Sequence, residues 1–203
     1  MNATDQLIVA AAESGAHMAL DSRAAGPAVS HAAHERRRFR AAVAEMLMAR
    51  APAAVAALDW DALDAAPAWL ALPAGLLDGL QSQVGAVLYG PAMRMWIDSG
   101  RLAAARAAVG DAFLRALLGR PDVPAAPRAP LAPAIPAAQV GAYLRHAGAA
   151  VLQATLPAAL RGVAASALGQ SAPMVIDAAN ALALVERALF LVECAGRDVQ
   201  GGG

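Results

Sequence analysis

The chain contains no lysine, and all 16 of its basic residues are arginine. That choice fits a GC-rich coding sequence. The 16 acidic residues bring the formal net charge to zero, which argues against the basic surface that general nucleic-acid binding requires. Cysteine is nearly absent. Cys194 stands alone, so no intramolecular disulfide can form, as suits a reducing compartment. Aromatic residues make up 4% and β-branched residues are sparse, which disfavours a sheet. No long hydrophobic run is present either. The least polar region, residues 146–176, is mostly Ala, Gly and Ser, and is interrupted by Pro157, Arg161 and Pro173. A spanning helix needs about 20 strongly apolar residues, so membrane insertion is not expected. The first residues lack a positive n-region, and Glu13 closes their apolar stretch. The expectation is therefore no secretory signal and a cytoplasmic location.

What is present is alanine. Apolar residues reach 59% over 203 positions, enough to bury the core of one domain. Alanine buries little area but is the best helix former. The fold class expected is all-α, a compact bundle of about seven or eight helices. Spacing places helices near residues 5–20, 31–50 (capped by Ser30), 73–89, 91–98, 100–118 (capped by Ser99), 138–156, 157–168 and 174–195. Trp60 and Trp69, in the broken stretch 51–72, are expected to anchor that stretch on the core. Gly110 and Gly162 look like points of close helix contact. In the last helix Val175, Ala178, Leu182, Val185, Leu189 and Val192 form a coiled-coil-like seam. It can pack within the chain or on another protein.

Six prolines, from Pro121 to Pro136, recur every third residue. Polyproline II has three residues per turn, so they would share one edge. This divides the chain into an N-terminal helical part (1–120), a proline-rich spacer (121–137) and a C-terminal helical part (138–199) that packs back as one domain. The spacer reads as a stiff connector or as a docking strip for an aromatic groove.

A search for chemistry returns little. His31, His34 and Glu35 have HxxHE spacing, not the i,i+4 histidine pair of a zincin, and no third ligand is near. Cys194 is flanked by a glutamate, which raises rather than lowers a thiol pKa. Asp59, Asp61 and Asp64 suit helix capping better than acid–base work. There is no G-x-S-x-G and no glycine-rich phosphate loop. No catalytic residue, metal ligand or cofactor is assigned, and the expectation is a protein that is not an enzyme. Arg36, Arg37, Arg38 and Arg40 form the strongest charge cluster. With Glu35 as partial neutraliser they make either a solvated face or a docking site for an acidic partner.

The stretch from Trp69 to Gly119 carries a pattern: a W-L-x-L-P start (Trp69 to Pro73), Leu88 to Gly90, Arg94, Ile97 to Gly100, and V-G-D-A-F from Val109 to Phe113. A fainter match is the apolar helix and proline within Val151 to Arg161. This pattern resembles the SctK-type proteins of type III secretion, also called YscK, PscK or OrgA types. The resemblance implies a cytosolic, all-helical, non-catalytic adaptor of the sorting platform. Such a subunit links the cytoplasmic domain of the SctD-type inner-membrane ring protein to the SctQ-type pod protein. The alternatives from other classes are a small helical enzyme or ligand-binding domain with a pocket between the halves, and a helical secretion chaperone.

Candidate partner-binding residues follow from interface chemistry, which favours Trp, Tyr and Arg. They are Tyr89, Arg94, Trp96, Asp98 and Arg101, with Arg36, Arg37 and Arg40 as a second group. Residues two apart on a helix diverge by about 200°. Met93, Met95 and Trp96 therefore cannot all face one narrow core stripe, and some must point outward.

Overall fold

The structure, a computed structural model, describes residues 25–120, 135–169, 171 and 174–200. The expected helix at 5–20, most of the proline spacer and the C-terminal glycines lie outside the described residues. Among those described there are eight α-helices and no strand. They are α1 (Ala25–Arg50), α2 (Pro52–Val55), α3 (Ala74–Arg94), α4 (Ser99–Val109), α5 (Asp111–Gly119), α6 (Val140–Ala154), α7 (Ala158–Leu168) and α8 (Ala178–Gln200). Short 3-10 turns cover Ala62–Ala65, Ala68–Ala71 and Ala137–Gln139.

Helix α3 is the axis of the molecule. Residues 80–90 are buried without a break, so every face of this helix meets protein. Its main neighbour is α6, with α8 and α4 beside it. The approach to α6 is set by two glycines. A Cβ on Gly85 would lie 1.9 Å from the Leu144 carbonyl oxygen, and one on Gly148 would lie 1.8 Å from that of Gln81. The pairing of 81 with 148 and of 85 with 144 makes the helices antiparallel, with backbones nearly touching. No other residue type fits at either point. The expected glycine contacts are not the real ones: Gly162 faces open space, and Gly110 breaks a helix.

Full burial also traps polar groups, which then need partners. Gln81 donates to the Leu168 carbonyl at 3.1 Å and so closes the end of α7, while Ser82 donates to the Asp78 carbonyl. The Gln83 Oε1 atom has no partner among the described residues. Around these, Leu77, Leu80, Val84, Phe113, Leu144 and Leu152 are sealed from solvent. Each such apolar side chain contributes about 2 kcal/mol.

Several boundaries differ from those the sequence suggests. Helix α1 begins at Ala25, so Ser30 lies inside it and is not its cap. Helix α3 runs through Gly90-Pro91 to Arg94, with Pro91 inside it. There is thus no separate helix at 91–98. Gly90 lacks the Cβ that would clash before a proline, and it is pressed against Leu117, 3.3 Å from where its Cβ would be. The helix expected at 100–118 is two, because Gly110 takes φ 88° and turns the chain between α4 and α5. Asp98, not Ser99, caps α4: its Oδ1 accepts from the Gly100 N–H at 2.8 Å. Likewise α8 starts only at Ala178, with Asp177 accepting from the Asn180 N–H at 2.9 Å.

Two packing expectations are also corrected. Trp69 is buried, but Trp60 is 40% exposed, and Leu58 and Leu63 fill the core in its place. The indole N–H of Trp69 has no partner among the described residues. In α8 the buried stripe is Ala181, Leu184, Ala188, Leu191 and Ala195, flanked by Val185 and Val192. Leu182 faces outward at 47%, and Val175 lies fully exposed ahead of the helix. Small residues let α8 settle close to α3 and α5: of the expected seam Val185 and Val192 are buried, while Ala181 and Ala188 lie deeper in the core than Leu182 and Leu189.

Candidate functional site

The link between α3 and α4 brings the first candidate group together. After Arg94 the chain makes one tight turn and re-enters a helix at Ser99. Five side chains hold that turn. Met93 is sealed in the core, and Trp96 is half-buried against it. The Arg94 guanidinium donates to the Leu117 carbonyl at 2.9 Å and to that of Arg120. It thereby satisfies the end of α5, where a cation also suits the helix dipole. Asp98 caps α4 and lies 3.4 Å from the Arg101 Nε.

These tasks reassign the candidates. Tyr89 is only 2% exposed and cannot be a surface anchor. Its ring stacks at a tilt on Tyr143, centroids 5.0 Å apart, and its oxygen accepts from the Tyr143 hydroxyl at 2.9 Å. Burial first, and then contact with Tyr143, push the Tyr89 phenol pKa far above its usual value. Arg94, Asp98 and Arg101 brace the turn. The residues they leave outside are Met95, 80% exposed, and Ile97, 99% exposed. Trp96 sits between these two with its base in the core. This is an apolar tip on a braced turn, a form suited to insertion into a partner's pocket. The divergence of residues two apart required that one of Met93 and Met95 face out. Ile97 carried no such signal, because the sequence suggests a helix continuing through it.

The second group sits midway along α1. Asp64 lies 3.2 Å from Arg40 and 4.0 Å from Arg36, and Asp61 lies 3.9 Å from Arg40. One carboxylate thus bridges the two arginines that would otherwise repel at i,i+4. Glu35 pairs with His31 at 3.7 Å instead of neutralising the arginines. Arg37 is exposed and has no carboxylate partner among the described residues. Of the three aspartates only Asp59 acts as a cap, accepting from the N–H groups of Asp61 and Ala62. A shallow groove of about 320 Å³ runs beside Arg36, Arg37 and Arg40. Another of about 460 Å³ lies over Phe39 and Leu63.

A concavity of about 490 Å³ lies between α3, α4 and α6. Alanine and glycine form most of its wall. Its carboxylate, Asp78, is engaged by Arg50, and its hydroxyl, Ser82, by the Asp78 carbonyl. Away from this concavity, Asp177 stands at the start of α8, where hydrogen bonds from the Asn180 backbone and then its side chain hold its carboxyl below the usual carboxylate range. No group of three or more His, Cys, Asp or Glu side chains stands together among the described residues. No helix among them is long and apolar enough to cross a membrane. Compared with known proteins, the chain matches no family model, no curated protein and no solved structure.

Proposed function

We propose that this chain is a non-catalytic assembly adaptor that docks partners through the α3–α4 turn. The observation that carries the reading is the pair Met95 and Ile97, which point into solvent from a turn fixed by Trp96, Arg94, Asp98 and Arg101. Exposed apolar side chains cost solubility unless a partner covers them. A braced tip loses little entropy when it binds. The Trp69–Gly119 resemblance supplies the setting: the cytoplasmic face of a type III secretion sorting platform, between the SctD-type ring protein and the SctQ-type pod protein. In support, the concavity between α3, α4 and α6 is a mainly alanine- and glycine-lined trough whose carboxylate and hydroxyl are already engaged. Catalytic sites usually hold convergent groups with perturbed pKa values.

The test is the double variant Met95→Glu, Ile97→Glu, assayed by co-purification with the ring and pod proteins of the native cell. Both side chains are exposed, so the thermal midpoint should stay unchanged. Capture of at least one partner should be lost. Unchanged capture of both at unchanged stability would overturn the assignment.

A further inference from the structure

The leading part of α1 has little to pack on. Residues 31–38 are exposed one after another, and between 31 and 50 only Val43, Met46 and Leu47 are buried. Helices in water owe most of their stability to a covered apolar face. Beside this exposed part lies the groove of about 460 Å³. Its lining is apolar at Ala32, Phe39, Leu63, Ala66 and Ala68 and charged at Glu35, Arg36 and Asp64. Leu63 is sealed, whereas Phe39 and Ala66 are only partly buried against the core. We propose that this groove seats the chain's own residues 5–20, lying antiparallel to α1.

Face, reach and charge select that occupant. In the helix expected over 5–20, Leu7, Ile8, Ala11, Ala12, Gly15 and Met18 fall within about 140° of one another. Gln6, Glu13 and His17 take the opposite side. Only residues 21–24 separate this segment from α1, a connection short enough to make antiparallel neighbours of two helices. Sixteen residues of helix span about 24 Å, which is also the span of α1 from Ala25 to Arg40. Counted back equally from the turn, Leu20 comes beside Ala25, Ile8 beside Arg37 and Asp5 beside Arg40. The stretch from Ile8 to Ala12 therefore passes the groove, whose α1 wall runs from Ala32 to Phe39. Residues 5–20 hold Asp5 and Glu13 and no arginine. Arg36, Arg37 and Arg40 line the adjoining groove, at the level Asp5 reaches. Exposed pairs of this kind fix direction more than they add strength.

The test is hydrogen exchange of the full chain, read by mass spectrometry on its peptic peptides. Amides of residues 5–20 should exchange about tenfold or more slower than those of an unstructured chain. The double variant Leu7→Glu, Ile8→Glu should remove that protection and speed exchange across residues 31–40. Ala32→Arg, which fills the groove from an exposed position, should also release residues 5–20. His34→Arg, turned about 200° away from Ala32 on α1, should leave them protected. Peptides from α3 should stay protected throughout, showing an intact bundle. Four results would each overturn the proposal. They are residues 5–20 unprotected in the parent, protection that survives the double variant or Ala32→Arg, equal loss in His34→Arg, and protection that disappears on dilution. The last would put the segment in the groove of a second copy. Because Met95 and Ile97 take no part, failure here leaves the adaptor reading standing, and failure of that reading leaves this docking standing.

Discussion

Gly85 and Gly148 each face a carbonyl of the opposite helix at a distance no methyl group can occupy. Neither carbonyl can swing aside, since both belong to helical backbone. Gly85→Ala or Gly148→Ala must therefore push α3 and α6 apart and is expected to cost about 3 kcal/mol or more. Either substitution spreads the same interface, so the double variant should cost less than the sum of the two. Urea titration of the three proteins checks both statements. Gly162, inside α7 and facing open space, should behave oppositely, with Gly162→Ala adding about 0.5–1 kcal/mol of stability. Tyr89 makes a pH prediction. Its folded pKa is raised, so the native state holds the phenol proton after the unfolded chain releases it near pH 10. The stabilisation is complete below that pH and is lost as pH rises above it, by about 1.4 kcal/mol per unit. Melts between neutral pH and pH 11 should fall earlier for the parent than for Tyr89→Phe.

Among the elements, the breaks are decided by conformations that residue type only partly reveals. Gly110, at φ 88° with an extended ψ, occupies backbone space essentially reserved for glycine. Gly110→Ala is expected to cost about 1–3 kcal/mol, read as a lowered denaturation midpoint. The glycine that ends α4 looks, in sequence, like one more small residue in an alanine-rich helix. The Gly90-Pro91 pair looks like a stop, yet α3 passes through it because its packing outweighs one lost hydrogen bond. Most helices were legible because apolar spacing and flanking prolines agree, as at Pro73 and Pro157. Register was less so. In α8 the larger residues Leu182 and Leu189 suggest the buried face, while Ala181 and Ala188 occupy it. Alanine is apolar everywhere in this chain, so its periodicity carries little information. The candidate site was legible as a segment but not as a set of side chains. Tyr, Arg and Asp look like anchors in sequence, and which of them is spent on capping or burial depends on neighbours such as Leu117, Arg120 and Tyr143, which are distant along the chain.

At the scale of the whole molecule, the parts on either side of residues 121–134 do not have separate interiors. Helix α3 has α6 and α8 as neighbours, Gln81 closes α7, and Arg120 reaches Cys194. Fragments 1–120 and 135–203 should each be poorly folded alone, since each exposes the surface that the other covers. Produced together, they should recombine without a covalent link, guided by the glycine-to-carbonyl fit that sets helix register. The chain is in this sense a ready-made split protein. A reporter halved and fused to the two fragments should regain its signal on mixing, and Gly148→Ala should abolish that recovery.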